Sequence, residues 1–130
     1  MCSYGPTSTC KETLRQMTED TMNGEAIDRL FALIEKRRTA DPNESYTAEL
    51  FSRGRAKIVQ KTGEEAVETI IAAMTNDSIE VAKESADLLY HLLVLWSEMG
   101  VRPQDVYAEL ARREGTAGLE EKRLRDSATD

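Results

Sequence analysis

Two acidic clusters, Glu64-Glu65-Ala66-Val67-Glu68 and Glu84-Ser85-Ala86-Asp87, carry the residue types that metal-assisted phosphate chemistry needs. Each lies inside a helical stretch, and residues three apart on an α-helix share a face. Glu65 and Glu68 therefore point one way, and so do Glu84 and Asp87. If the two helices pack side by side, four carboxylates converge. Two like charges about 4 Å apart repel by about 4 kcal/mol at an effective dielectric of roughly 20. Such a cluster either holds protons, with raised pKa values, or holds a cation. Mg2+, a hard divalent cation with a preference for oxygen ligands and phosphates, suits it best. One Glu-x-x-Glu alone is ordinarily a solvated surface. The pair carries more weight because both clusters sit away from the first helical turn, where the helix dipole favours acids. Both are also interleaved with residues expected to be buried: Ala66 and Val67 in one, Ala86, Leu88 and Leu89 in the other.

Beside the acids runs a basic ladder. Lys57, Lys61 and Glu65 recur every four residues, with Arg53 one turn earlier. The spacing fits a salt-bridged helix surface and a phosphate track leading into a metal site equally well. His91, the one histidine of the chain, follows Asp87 by four residues and so shares the acidic face. It can contact substrate or orient an acid, although a hydrogen-bonded core histidine is the commoner use of such a position. Core packing is the default reading of its neighbour Tyr90.

The elements that must position these groups are all helical. Residues 1–23, polar and carrying Gly5 and Pro6, read as a poorly ordered or partly helical N-terminal extension. Ile27, Leu30, Phe31 and Ile34 mark a helix from about Glu25 to Arg38. Asp41-Pro42-Asn43 is a loop, after which Thr47 caps a second helix. This helix is expected to continue through Gly54 to about Met74, with a kink allowed at Gly54 or Gly63. Val67, Ile70, Ile71 and Met74 form its apolar stripe. Asp77 and Glu80 make an Asp-x-x-Glu capping box for a helix over 78–99, which Gly100 ends. Pro103 opens a last helix to about Arg113. Gly115 and Gly118 close the fold, leaving a frayed, charged tail. The organisation is thus an extension over 1–23, a domain over 24–115 and a tail over 116–130. No stretch has the period-two run of β-branched residues that a strand needs. The fold class is all-α, an antiparallel bundle of four to five helices. The stretch Leu88–Trp96 is apolar nearly all round, more than so few helices can bury within one chain, so the bundle is expected to be completed by dimerisation.

A chain of 130 residues fits one domain. Its net charge of −7 argues against nonspecific binding to nucleic acid or to an anionic membrane. No apolar run approaches the ~20 residues of a membrane span, and there is no secretory h-region. Cys2 and Cys10 match no zinc spacing and read as thiols of a reducing cytoplasm.

Three segments together resemble a known family: Ser45-Tyr46-Thr47-Ala48-Glu49-Leu50, Lys57-Ile58-Val59-Gln60-Lys61-Thr62-Gly63-Glu64-Glu65, and Glu84-Ser85-Ala86-Asp87-Leu88-Leu89-Tyr90-His91-Leu92-Leu93-Val94-Leu95. The chain is similar over roughly residues 25–115 to the phosphoribosyl-ATP pyrophosphatases of histidine biosynthesis. These lie within the all-α nucleoside-triphosphate pyrophosphohydrolases, a group that includes MazG-like proteins and dimeric dUTPases. The two acidic motifs mark the wider group, and the Ser-Tyr-Thr and Tyr-His-Leu-Leu segments narrow it. The resemblance implies Mg2+-dependent hydrolysis of phosphoribosyl-ATP to phosphoribosyl-AMP and pyrophosphate. It implies Glu65, Glu68, Glu84 and Asp87 as metal ligands, with Glu64 opening the motif in an indirect catalytic role. Lys57 and Lys61 would meet the phosphates, and Ser45, Tyr46 and Thr47 would border the substrate pocket, with Arg53 and His91 near it. It also raises association with phosphoribosyl-AMP cyclohydrolase, the next enzyme of the pathway. Two other readings compete. One is a house-cleaning pyrophosphohydrolase of dNTPs or noncanonical nucleotides with the same metal site. The other is a noncatalytic helical dimerisation module, whose acids would lie scattered on the surface.

Overall fold

The computed structural model describes residues 24–114 and 118–129. The extension expected over 1–23, with both cysteines, and the Gly115 turn lie outside the described residues. The described segments form six helices: α1 (Glu25–Arg37), α2 (Tyr46–Arg53), α3 (Arg55–Met74), α4 (Ser78–Met99), α5 (Pro103–Glu114) and α6 (Gly118–Thr129). The all-α expectation holds, and α6 replaces the frayed tail anticipated after Gly118.

Local chemistry explains most boundaries. In α1, Glu25 and Asp28 occupy the first turn and Lys36 and Arg37 the last, which complements the helix dipole at both ends. Ser45, not Thr47, caps α2: its side chain accepts from the Ala48 amide at 3.2 Å. Thr47 lies inside the helix, 4% exposed. The continuous helix expected over 47–74 is instead two helices. Gly54 sits between them at φ 91° and ψ 173°, a region that essentially only glycine enters. Asp77 caps α4 by accepting from the Ile79 and Glu80 amides at 3.2 and 3.1 Å. Gly100 ends α4 at φ 72°, with the Val101 amide bonded to the Trp96 carbonyl at 2.8 Å and the Gly100 amide to the Ser97 carbonyl at 3.3 Å. That pair of bonds is the Schellman motif.

Only residues 75–77 separate α3 from α4, so α4 folds back antiparallel along α3, and the two share the largest contact among the described helices. Packed on them, α1 and α2 close a core of Ile34, Leu50, Ile58, Leu93 and Val94, each 2% exposed or less. A polar staple fixes the far end. The Arg38 guanidinium lies 4.7 Å over the Phe51 ring and donates to the Ser97 carbonyl at 2.8 Å. The Ser97 hydroxyl in turn donates to Glu35 at 2.9 Å.

Burial within the chain departs from the expected pattern. Helix α4 is covered over residues 90–98: Leu93 and Val94 are sealed, and Leu92, Leu95 and Trp96 are half-buried. The uncovered apolar face lies on α3, where Val67, Ile70, Ile71 and Met74 are 54–82% exposed. Val67 and Leu89 were expected to be buried among the acids, and so was Ala86. All three are exposed in the single chain; Ala86 and Leu89 line an open apolar cavity of about 160 Å3 with Ala26, Ile27 and Leu30 of α1.

Candidate active site

The antiparallel pair α3–α4 brings the acids together. Glu65 from α3 and Glu84 and Asp87 from α4 each offer an oxygen, and these oxygens lie within 4.8 Å of one another. Glu65 is buried at 7% exposure, Glu84 is half-buried and Asp87 is exposed. Glu68, the fourth acid expected in the cluster, is exposed and lies outside that group, although its carboxyl stands close enough to act electrostatically on both Glu65 and Glu84. Burial first, and then the Glu68 carboxyl, raise the pKa of Glu65 and of Glu84. One oxygen of each, Oε2, is buried with no hydrogen-bond partner. An unpaired buried carboxylate oxygen is costly, and a cation in the cluster would satisfy both. The donor set is all carboxylate, which fits a hard divalent ion such as Mg2+ and not a thiolate- or imidazole-seeking metal.

Glu64 does not join this cluster. It is exposed, accepts from Gln60 at 2.7 Å and pairs with Lys61 at 3.1 Å, and these bonds lower its pKa. Lys61 bridges the two acids, lying 3.8 Å from Glu65, and its bond to Glu64 raises its own pKa. A cationic Lys61 therefore stands at the edge of the carboxylate site. Lys57, one turn earlier, adds positive charge near Glu64. Arg53 is set apart, exposed and paired with Glu49 at 3.7 Å.

The segment Ser45-Tyr46-Thr47 reaches the site through α4. Ser45 serves as the helix cap described above. Tyr46, half exposed, bonds His91 Nε2 through its hydroxyl at 3.2 Å. His91 is 5% exposed, and its Nδ1 bonds the Asp87 carbonyl at 2.8 Å. Thr47 bonds the Tyr90 hydroxyl, so Tyr90 has a polar partner besides its packing.

A cavity of about 250 Å3 opens beside the acids, lined by Glu68, Ile71, Ala72, Thr75, Glu80 and Glu84. Thr75 and Glu80 belong to this wall and do not stand out in the sequence reading. The signal for Glu80 was present, since Glu80, Glu84 and Asp87 follow the i, i+4, i+7 rhythm of one face. Its place in the apparent capping box masked it. A second cavity shares Glu68 and Ile71 with the first and is lined further by Gly63, Glu64 and Val67.

Residues 27–114 match the family model described as phosphoribosyl-ATP pyrophosphohydrolase. Among curated relatives, the phosphoribosyl-ATP pyrophosphatase of Azospirillum brasilense is 55% identical over 111 residues, 85% of this chain and 100% of the relative. That of Rhodospirillum rubrum is 58% identical over 101 residues, 78% of this chain and 86% of the relative. That of Rhizorhabdus wittichii is 59% identical over 99 residues, 76% of this chain and 93% of the relative.

Proposed function

Because the chain belongs to the phosphoribosyl-ATP pyrophosphohydrolase family, we propose that it hydrolyses phosphoribosyl-ATP to phosphoribosyl-AMP and pyrophosphate at the α3–α4 carboxylate cluster, with Mg2+ held there. The observation that carries this reading is the meeting of Glu65, Glu84 and Asp87 oxygens within 4.8 Å, with two of the buried oxygens lacking partners. A family relationship alone would not require such oxygens, and a noncatalytic helical module would have no use for them.

In this reading Glu65, Glu84 and Asp87 would hold the ion, and Glu68, whose carboxyl acts electrostatically on Glu65 and Glu84, would complete the set. Bound there, a divalent ion neutralises charge on phosphate oxygens and makes water a better nucleophile. The reaction breaks the anhydride between the α and β phosphorus atoms and adds water across it. Lys61 and Lys57 face the phosphates and stabilise the charge that gathers on the leaving pyrophosphate. A carboxylate of the cluster not engaged by the ion can accept the proton of the attacking water. Glu64 acts indirectly by holding Lys61 in place. The enzyme works as a homodimer in the cytoplasm, and the next enzyme of the pathway, phosphoribosyl-AMP cyclohydrolase, is a candidate partner.

Pyrophosphate release from phosphoribosyl-ATP, measured beside a panel of dNTPs, tests the reading. Turnover should require Mg2+ and favour phosphoribosyl-ATP. Glu84→Gln should lower kcat by about a hundredfold or more, the size of one lost electrostatic contact in an active site. Preferred turnover of simple dNTPs would instead assign a house-cleaning role.

A further inference from the structure

The imidazole of His91 is fully engaged, and its engagement fixes a neighbour. Its Nδ1 lies 2.8 Å from the Asp87 carbonyl oxygen. A carbonyl only accepts, so Nδ1 carries a hydrogen and donates it. In the neutral ring Nε2 then has only a lone pair. The Tyr46 hydroxyl, 3.2 Å from Nε2, must therefore be the donor of that bond. With its one hydrogen committed, the Tyr46 oxygen offers only lone pairs to anything outside.

The surroundings hold this arrangement firmly. The Tyr46 ring stacks on Tyr90 with centroids 6.2 Å apart, and Tyr90 meets His91 edge-on at 5.0 Å. Thr47 ties the Tyr90 hydroxyl to α2. Tyr46 is nevertheless 50% exposed, while His91 is 5% exposed. Of the pair, only Tyr46 can touch a ligand. It lies within electrostatic reach of Lys61, the lysine that pairs with Glu65.

We propose that His91 is a positioning residue that takes up the Tyr46 hydrogen, so that Tyr46 presents an aromatic face and an acceptor-only oxygen to a hydroxyl or amino donor on the nucleoside part of the substrate. This rests on the hydrolase reading above and divides the labour of recognition. Phosphates carry no donors when ionised, so the Tyr46 oxygen does not serve them, and the lysines do. Ribose hydroxyls and base amino groups are donors, and the Tyr46 oxygen suits them. His91 is thereby removed from the groups that touch substrate.

The chain has a single histidine, so its imidazole nitrogens give one unambiguous set of signals in a 15N long-range correlation spectrum. In the free protein Nδ1 should carry the hydrogen and Nε2 should be unprotonated. Tyr46→Phe should shift the Nε2 resonance. The Nε2-protonated tautomer, or an Nε2 signal indifferent to Tyr46→Phe, overturns the assignment. In turnover, Tyr46→Phe and His91→Leu should each raise KM for phosphoribosyl-ATP by about tenfold, the size of one hydrogen bond, with kcat within about twofold. His91→Gln, which keeps an acceptor near the Nε2 position, should recover most of the loss. An unchanged KM, or a loss falling in kcat, defeats the recognition role. A wild-type protein inactive on phosphoribosyl-ATP defeats the assigned reaction instead, and the spectrum of the free protein still decides the role of His91.

Discussion

Glu65 and Glu84 set the electrostatic problem of this molecule. Burial raises both pKa values, and the neighbouring Glu68 raises them further. The native state therefore binds protons at these positions more tightly than the unfolded chain does. Their contribution to stability is fully present below the ordinary glutamate pKa and is lost as pH rises through the raised values. Without a divalent ion, as in thermal melts in chelator, this contribution should fade from about pH 4.5 upward. Exposed acids such as Glu109, held at a pKa of about 2 by Arg112 and Arg113, act in the opposite sense. The comparison that isolates the cluster is wild type against Glu65→Gln. The variant should lose less stability over that range, and Mg2+ should raise the wild-type Tm by binding the native state alone. Parallel pH profiles for the two proteins, with no Mg2+ shift, would mean that the oxygens do not share a site. Helical spacing in the sequence pointed to Glu65, Glu84 and Asp87, whose oxygens do meet, but also to Glu68, which stays outside that group. It did not disclose that Glu64 would turn to Gln60 and Lys61, since adjacent glutamates on a helix point in different directions and only the packed partner decides which one goes inward.

At the scale of elements, the junction between α2 and α3 matters most. Apolar periodicity runs on through Leu50, Phe51, Ile58 and Val59, so pattern alone argues for one long helix. A glycine inside a helical pattern is consistent with either a tolerated weak point or a break, and only the backbone distinguishes them. Here Gly54 takes φ 91°, which redirects the chain so that α2 sets Tyr46 and Thr47 against Tyr90 and His91. A Cβ at Gly54 would meet no atom within 4 Å, so Gly54→Ala imposes backbone strain without a clash. That strain should cost about 1–3 kcal/mol, read as a fall in the denaturation midpoint with an unchanged slope. Removing strain by straightening the junction would also carry Tyr46 away from His91, so KM should rise alongside. An alanine variant as stable as wild type would show that the observed φ is not the native one. The helix ends were legible where a side chain or glycine dictates them, as at Asp77, Gly100 and Pro103. They were less so at Ser45 and Thr47, because serine and threonine cap almost equally well and the choice falls to whichever residue the core leaves outside. Thr47 is claimed by Tyr90.

For the whole molecule, the unresolved question is what covers α3. Val67, Ile70, Ile71 and Met74, with Ile79 at the start of α4, are 54–82% exposed, and monomeric proteins rarely leave so continuous an apolar face in water. The expectation of a dimer came from the apolar girth of α4, of which Leu93 and Val94 are buried within the chain while Leu89 stays exposed. Helix α3 adds a stronger argument for a partner, because an amphipathic helix with its apolar side outward gains little from its own fold. A second copy laid on this face through a twofold axis would pair like with like, burying about 800 Å2 per partner if it is an interface of ordinary size. Ile71 lines both cavities beside Glu68, so the same partner would border the carboxylate site and shield it from bulk water. Ile70, more exposed than Ile71 and outside both cavity walls, is the residue with which to test this. Sedimentation equilibrium should give the wild type twice the chain mass of 14.6 kDa, and Ile70→Glu should return it to the single-chain mass with its helical content kept. Turnover should fall with dissociation and recover as protein concentration is raised, because mass action restores the pair. A wild-type protein that sediments as single chains at micromolar concentration and still turns over substrate would leave the α3 face without the partner argued for it.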